Sequence, residues 1–144
     1  MTDLRLAAFD EDDLGVISAQ VQDAVLKVGD IDWQPSRKRL LLVMNRFAWD
    51  VPGSLLRRDN ERRRSVLQLD RVRAVRSTGI RRDRAGDVLS MLALRFLPGE
   101  RPSGVIEIDF AGGATLRAEV EVIEGRLTDL GSRWQAAARP VHKV

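Results

Sequence analysis

The chemistry on offer in this chain is mostly that of arginine. Of its 24 basic residues 21 are arginine, and eleven of those fall between residues 53 and 85. They form two dense runs, Arg57, Arg58, Arg62, Arg63 and Arg64 in the first and Arg81, Arg82 and Arg84 in the second. A guanidinium carries a rigid fork of donors that grips a carboxylate or phosphate through two parallel hydrogen bonds. If both runs reach one rim of the fold, these eight residues are candidate contacts for a protein or an anionic ligand. A solvated charged face explains the same residues, and a GC-rich genome accumulates arginine without any selection for anion binding. The first 32 residues lean the other way, with eight acids against Arg5 and Lys27. The two segments could steer a charged partner or neutralise each other within the fold.

Other chemistries find little support. The chain has no cysteine, which excludes disulfides, iron–sulfur clusters and thiolate zinc sites. Its one histidine, His142, stands three residues from the end of the sequence, so histidine-based triads and metal sites are not expected. No cofactor and no metal are expected. The acids Asp10 to Asp13 suit a helix entrance better than a metal site. The stretch Phe110-Ala-Gly-Gly-Ala114 joins two strand-like runs rather than a strand and a helix, so it reads as a hairpin turn and not a phosphate loop. Paired carboxylates remain, Glu107 with Asp109 and Glu119 with Glu121. With Arg46 and Arg95 the first pair defines an alternative reading, a small enzyme or metabolite-binding protein with a carboxylate and arginine pocket. Nucleic acid is the weaker anionic partner. Aromatics make up 5% of the chain and there is no tyrosine to stack bases; Trp49, beside the charged run, is the one aromatic placed for that task.

The elements that must position these residues follow from periodicity. Leu4 and Leu6 alternate as a short strand. Asp10 is a helix N-cap, Phe9 is placed to staple onto Leu14, and Leu14, Ile17, Val21, Ala24 and Val25 form one stripe of a helix running to about Lys27. Strands are expected over 28–33 and 39–49, joined by a turn at 34–38. A solvated loop follows over 50–64, then strands over 65–77, 88–97, 105–110 and 115–120. In 39–49 both faces begin apolar, which places that strand centrally. Val120, Ile123, Leu127, Leu130 and Trp134, spaced three, four, three and four, predict a C-terminal helix over 120–134, with a flexible tail at 139–144.

The last third, Ile106-Glu107-Ile108-Asp109-Phe110, a glycine turn, Thr115-Leu116-Arg117-Ala118-Glu119-Val120 and then a helix anchored by Trp134, resembles the second half of a pleckstrin-homology-like barrel. That resemblance implies an antiparallel curled sheet or barrel of about seven strands with a C-terminal capping helix; with the N-terminal helix read from periodicity, which departs from the family's strands-first plan, the expected fold is α+β. The resemblance also implies a lipid-headgroup pattern of a lysine followed by a basic-x-arginine pair, which Lys27, Arg37 and Arg39 match loosely. Across its whole length the chain is similar to a family of small uncharacterised bacterial proteins, a domain of unknown function. The residues that carry this are Leu4 to Phe9, Gln22-Asp23-Ala24-Val25, Val28-Gly29-Asp30, Asn45-Arg46-Phe47, Phe110-Ala111-Gly112-Gly113 and Leu127-Thr128-Asp129-Leu130-Gly131. The family brings no activity to carry over.

At 144 residues the chain is one domain's length, 1–144, and large enough for a continuous core without staples. No run approaches the ~20 apolar residues of a membrane span, and the expected location is cytoplasmic. The reading that absorbs most of this is a non-catalytic binding or adaptor domain that recognises a protein or anionic ligand through its arginine-rich loops or a sheet edge. A free edge would also permit a homodimer.

Overall fold

The computed structural model describes residues 4–47 and 62–130. Within them the order is β1 (Arg5–Ala8), α1 (Glu11–Val21), β2 (Val25–Lys27), β3 (Ile31–Gln34), β4 (Arg39–Phe47), β5 (Arg62–Leu69), β6 (Val72–Thr78), β7 (Val88–Pro98), β8 (Gly104–Phe110), β9 (Thr115–Val120) and β10 (Gly125–Asp129).

The helix begins where its cap predicts. Asp13 N donates to Asp10 Oδ1 at 2.8 Å, Phe9 N donates to the Asp13 carboxylate at 3.0 Å, and Glu11, Asp12 and Asp13 meet the positive end of the dipole. Leu14, Ile17 and Val21 are buried as one stripe. Ser18 Oγ accepts from Leu94 N at 2.9 Å, which docks α1 on β7. Phe9 is 62% exposed, so the expected staple does not form on the core side. The helix also stops at Val21, not Lys27. Asp23 turns through a left-handed φ of 66°, and Val25 and Leu26 then pair with Ser90 and Leu89 as a short strand.

All ten strands join one antiparallel sheet in the order β1-β10-β5-β4-β2-β7-β8-β9-β6, with β3 alongside β4. As expected, β4 is central, with Leu40, Leu42 and Met44 on the core side. The predicted single strand over 65–77 is in fact β5 and β6, which meet at a corner. Their partners β10 and β9 turn at the same level, held by Asp70 N to Glu124 O at 2.9 Å and Glu121 N to Arg71 O at 3.0 Å. Arg71 takes a left-handed φ of 59° at the bend. A two-stranded ribbon thus folds over itself, and β2 joins the two halves by pairing with both β4 and β7. Leu67, Met91, Ile106, Ile108, Phe110 and Leu127 fill the space between.

The broad α+β expectation therefore stands, but two of its parts do not. Among the described residues there are ten strands rather than seven, and the sheet is not closed: β1 and β6 end it with one neighbour each, β10 and β9. Nor is there a helix from Val120; β9 ends there and β10 follows from Gly125. The α1 helix is the one that covers the core. The segments carrying Trp49, Trp134, His142 and the 139–144 tail lie outside the described residues.

The β7–β8 hairpin depends on Gly104. A Cβ there would fall 2.6 Å from Leu97 O and from the Phe96 ring, closer than side-chain carbons tolerate. Gly104→Ala is therefore expected to destabilise the fold by about 1–3 kcal/mol through overpacking, measured as a lower urea midpoint with an unchanged slope.

Candidate functional site

Three features could carry chemistry, and each is built by a different part of the sheet. The first is sealed inside. Arg46 continues the inward phase of Leu40, Leu42 and Met44, and both it and Ser65 are fully buried. Its guanidinium forks onto Asp129, Nε to Oδ1 at 2.9 Å and Nη2 to Oδ2 at 2.8 Å. Ser65 Oγ donates to Asp129 Oδ1 at 2.6 Å, and Leu4 N donates to Oδ2 at 3.0 Å. Arg46 Nη1 donates to Phe47 O at 3.0 Å and makes a longer contact with Gln20 Oε1 at 3.4 Å. Burial pushes the Asp129 carboxyl upward, but the hydrogen bonds from Arg46, Ser65 and Leu4 outweigh it and hold it below the ordinary range. Every acceptor position on this carboxylate is occupied and no solvent reaches it, so the cluster is suited to holding strands, not to turnover.

The second feature is a charged ladder on the outer face of β7, β8 and β9. Register sets Arg95, Glu107 and Arg117 opposite one another. Arg95 donates to Glu107 through Nη2 and to Asp109 through Nε at 2.9 Å; Arg117 Nε donates to Glu107 at 2.9 Å. Glu107 is buried beneath the two arginine side chains. Its desolvation raises its pKa, while the hydrogen bonds, that from Arg117 foremost, bring it below the usual carboxylate value. The expected grouping of Glu107, Asp109, Arg95 and Arg46 is thus three-quarters met. Arg46 is not part of it, and the other three are paired with one another and with Arg117.

The third is a cleft of about 670 Å³ at the mouth of the open sheet. Ile31 and Trp33 of β3 face Val75 of β6 across a floor completed by Ile80 and Leu116, with Asp32, Arg76 and Arg82 at the rim. The wall on the β3 side is fixed by the segment after β6, since Gly29 N donates to Ala85 O at 2.9 Å and Val28 N to Asp87 O at 2.9 Å.

The arginines named from sequence are dispersed. Arg57 and Arg58 lie outside the described residues. Arg62, Arg63 and Arg64 belong to β5 and not to a loop. Arg62 stacks over the Phe47 ring at 4.8 Å, and Arg64 reaches Asn45 at 3.3 Å and Asp30 at 3.9 Å. Arg81 is closed onto Asp83 at 3.2 Å. Arg82 lines the cleft, and Arg84 is exposed beyond it. Sequence reasoning missed Ser65 and Asp129. The available signal was Arg46 itself, a lone charge in the apolar phase of a central strand, which calls for a buried partner. Among the described residues no cluster of acids and histidine is placed to hold a metal ion, and no helix is long and apolar enough to cross a membrane.

A domain of mainly antiparallel sheet with one covering helix and a cleft between sheet edges is the class that these features define. The chain belongs to a family described as a protein of unknown function, DUF2948, whose model matches residues 4–142. No curated protein matches it. No solved structure matches it either.

Removing one partner of the buried pair strands the other charge in the core. Asp129→Asn is expected to cost about 3–5 kcal/mol near neutral pH, whereas Arg46→Met combined with Asp129→Leu should cost clearly less. Because the folded Asp129 pKa is depressed, its stabilisation is present above the ordinary aspartate value of about 3.9 and is lost as pH falls through the folded value. The gap between wild type and Asp129→Asn should therefore narrow as urea unfolding is repeated at decreasing pH below about 4.

Proposed function

We propose that this protein is a non-catalytic binding module whose recognition surface is the cleft between β3 and β6. The observation that carries the reading is the cleft's construction, an apolar floor under a polar rim at the place where the sheet stops pairing. Ligand sites are typically concave, and polar groups beside the apolar surface fix orientation; here Asp32, Arg76, Ser77 and Arg82 share the lining with Ile31, Trp33, Val75, Ile80 and Leu116. Bare strand edges are themselves adhesive, since their amides and carbonyls lack strand partners. Arg82 supports an anionic component in the ligand: among the described residues it makes no ion pair, in contrast to Arg46, Arg64, Arg81, Arg95 and Arg117.

Of the two surfaces named from sequence, a sheet edge and the arginine loops, this reading joins the edge to the second loop. It gives no role to β5, where Arg62 and Arg64 are engaged within the fold.

Val75→Asp and Arg82→Glu each alter the cleft at a position that is at most half-buried. Arg82→Glu should change stability by no more than about 0.5 kcal/mol. Both are expected to abolish recovery of whatever the wild-type protein retains in affinity capture from native cell extract. Undiminished recovery by both folded variants would contradict the cleft as the recognition surface.

A further inference from the structure

We propose that the occupant of the cleft is an acidic, extended segment of a partner protein, added as a strand along the β6 edge; this rests on the reading of the cleft as the recognition surface. Three consecutive residues of β6 line the cleft, Val75, Arg76 and Ser77, as do Ile31, Asp32 and Trp33 of β3. A strand face presents alternate residues; consecutive residues are what an edge presents. The cleft is thus flanked by two strand edges, and among the described residues β3 and β6 each have one strand neighbour, β4 and β9. The start of the β6 edge is already occupied, because Val72 N donates to Lys38 O at 2.9 Å. The stretch open to an added strand therefore runs from Arg73 to Thr78.

The charge along this edge selects among strands. Arg71, Arg73 and Arg76 lie on or next to β6, and Arg81, Arg82 and Arg84 follow it, with Asp83 the one acid from 71 to 84. Pairing two copies of β6 would bring two arginine-bearing edges together, and like charges in proximity are destabilising. A second copy is therefore disfavoured at this edge. A glutamate- or aspartate-bearing strand is favoured, since Arg82 is uncommitted and Arg76 has only the loose contact to Glu119 at 3.6 Å. The floor adds a second requirement. With a side-chain period of two, residues turned inward on the added strand meet Trp33, Ile31, Ile80 and Leu116, while those turned outward meet Arg76 and Arg73. The preferred segment alternates acidic and bulky apolar residues. A small free anion would satisfy the arginines and leave the apolar floor unfilled.

The test is an amide chemical-shift titration of the whole chain with three synthetic heptapeptides. One alternates glutamate with valine and leucine, a second replaces glutamate by lysine, and a third is the glutamate peptide with alternate backbone amides methylated. The glutamate peptide is expected to shift the amides of Arg73 to Ile80 and the Trp33 indole. Binding should weaken about tenfold or more with the lysine peptide, and likewise on Arg82→Glu, and should be lost with the methylated one. Equal binding of the lysine or methylated peptide, or shifts confined to other strands, would overturn strand addition. If the cleft variants abolish capture from extract while no peptide moves the β6 amides, strand addition is overturned and the cleft reading stands. If the variants leave capture intact as well, both fall together.

Discussion

The fold depends on one buried ion pair. Arg46 and Asp129 face each other with 0% and 1% of their side chains exposed, an arrangement that costs several kcal/mol of lost hydration per ion before any attraction is counted. It survives because geometry and stoichiometry are both satisfied. The fork is bidentate, Ser65 and the Leu4 amide fill the remaining lone pairs of Asp129, and the Phe47 carbonyl takes an outer nitrogen of Arg46. Those groups come from β4, β5, β10 and the residue that precedes β1. Asp129 is the one acid of β10, and in the observed register it stands opposite Ser65, within reach of Arg46. Specifying register is a use of buried charge better attested than stabilisation as such, and this pair has the geometry for it.

With β10 fixed beside β5, the shape of the rest follows. The ribbon of β5–β6 against β10–β9 must bend at Arg71, and once it does β6 leaves the neighbourhood of β4. The corner opens a mouth that neither β3 nor β6 closes. Open edges invite aggregation, and charged side chains are a common protection. The arginines along β6 meet that need, and they also set what could pair there. The ladder of Arg95, Glu107 and Arg117 links β7, β8 and β9 across their outer face, while among the described residues the edge strands β1, β3 and β6 keep spare hydrogen-bonding capacity.

How far sequence reached is clearest in particular elements. The Asp10 cap and the Leu14, Ile17, Val21 stripe were readable because their determinants lie within two helical turns. Ala24 and Val25 extend that stripe in phase, so nothing local marked the exit; pairing of Val25 with Ser90, 65 positions on, decided it. The C-terminal stripe misled in the same way. Val120, Ile123, Leu127 and Leu130 fit a helix, but Gly125, Leu127 and Asp129 also alternate, and all three are buried. The helical stripe required Asp129 to be a surface residue. Its partner 83 positions away made it a core residue, and tertiary pairing overrode local period. The cleft was legible only in outline. A free edge and exposed arginines could be expected, but which arginine met which edge depended on the corner at Arg71, and a left-handed arginine leaves no signature in a sequence.

Native-state hydrogen exchange, followed amide by amide, probes this directly. If the Arg46–Asp129 pair locks β10 into the sheet and the corner leaves β6 open, the amides that bind β10 to its neighbours, those of Asp129 and Leu130 included, should exchange only through global unfolding. Amides on the bare side of β6 between Arg73 and Thr78 should exchange through local opening, orders of magnitude sooner. Rapid exchange throughout 125–130, or protection along the whole of β6 equal to that of β4, would contradict it.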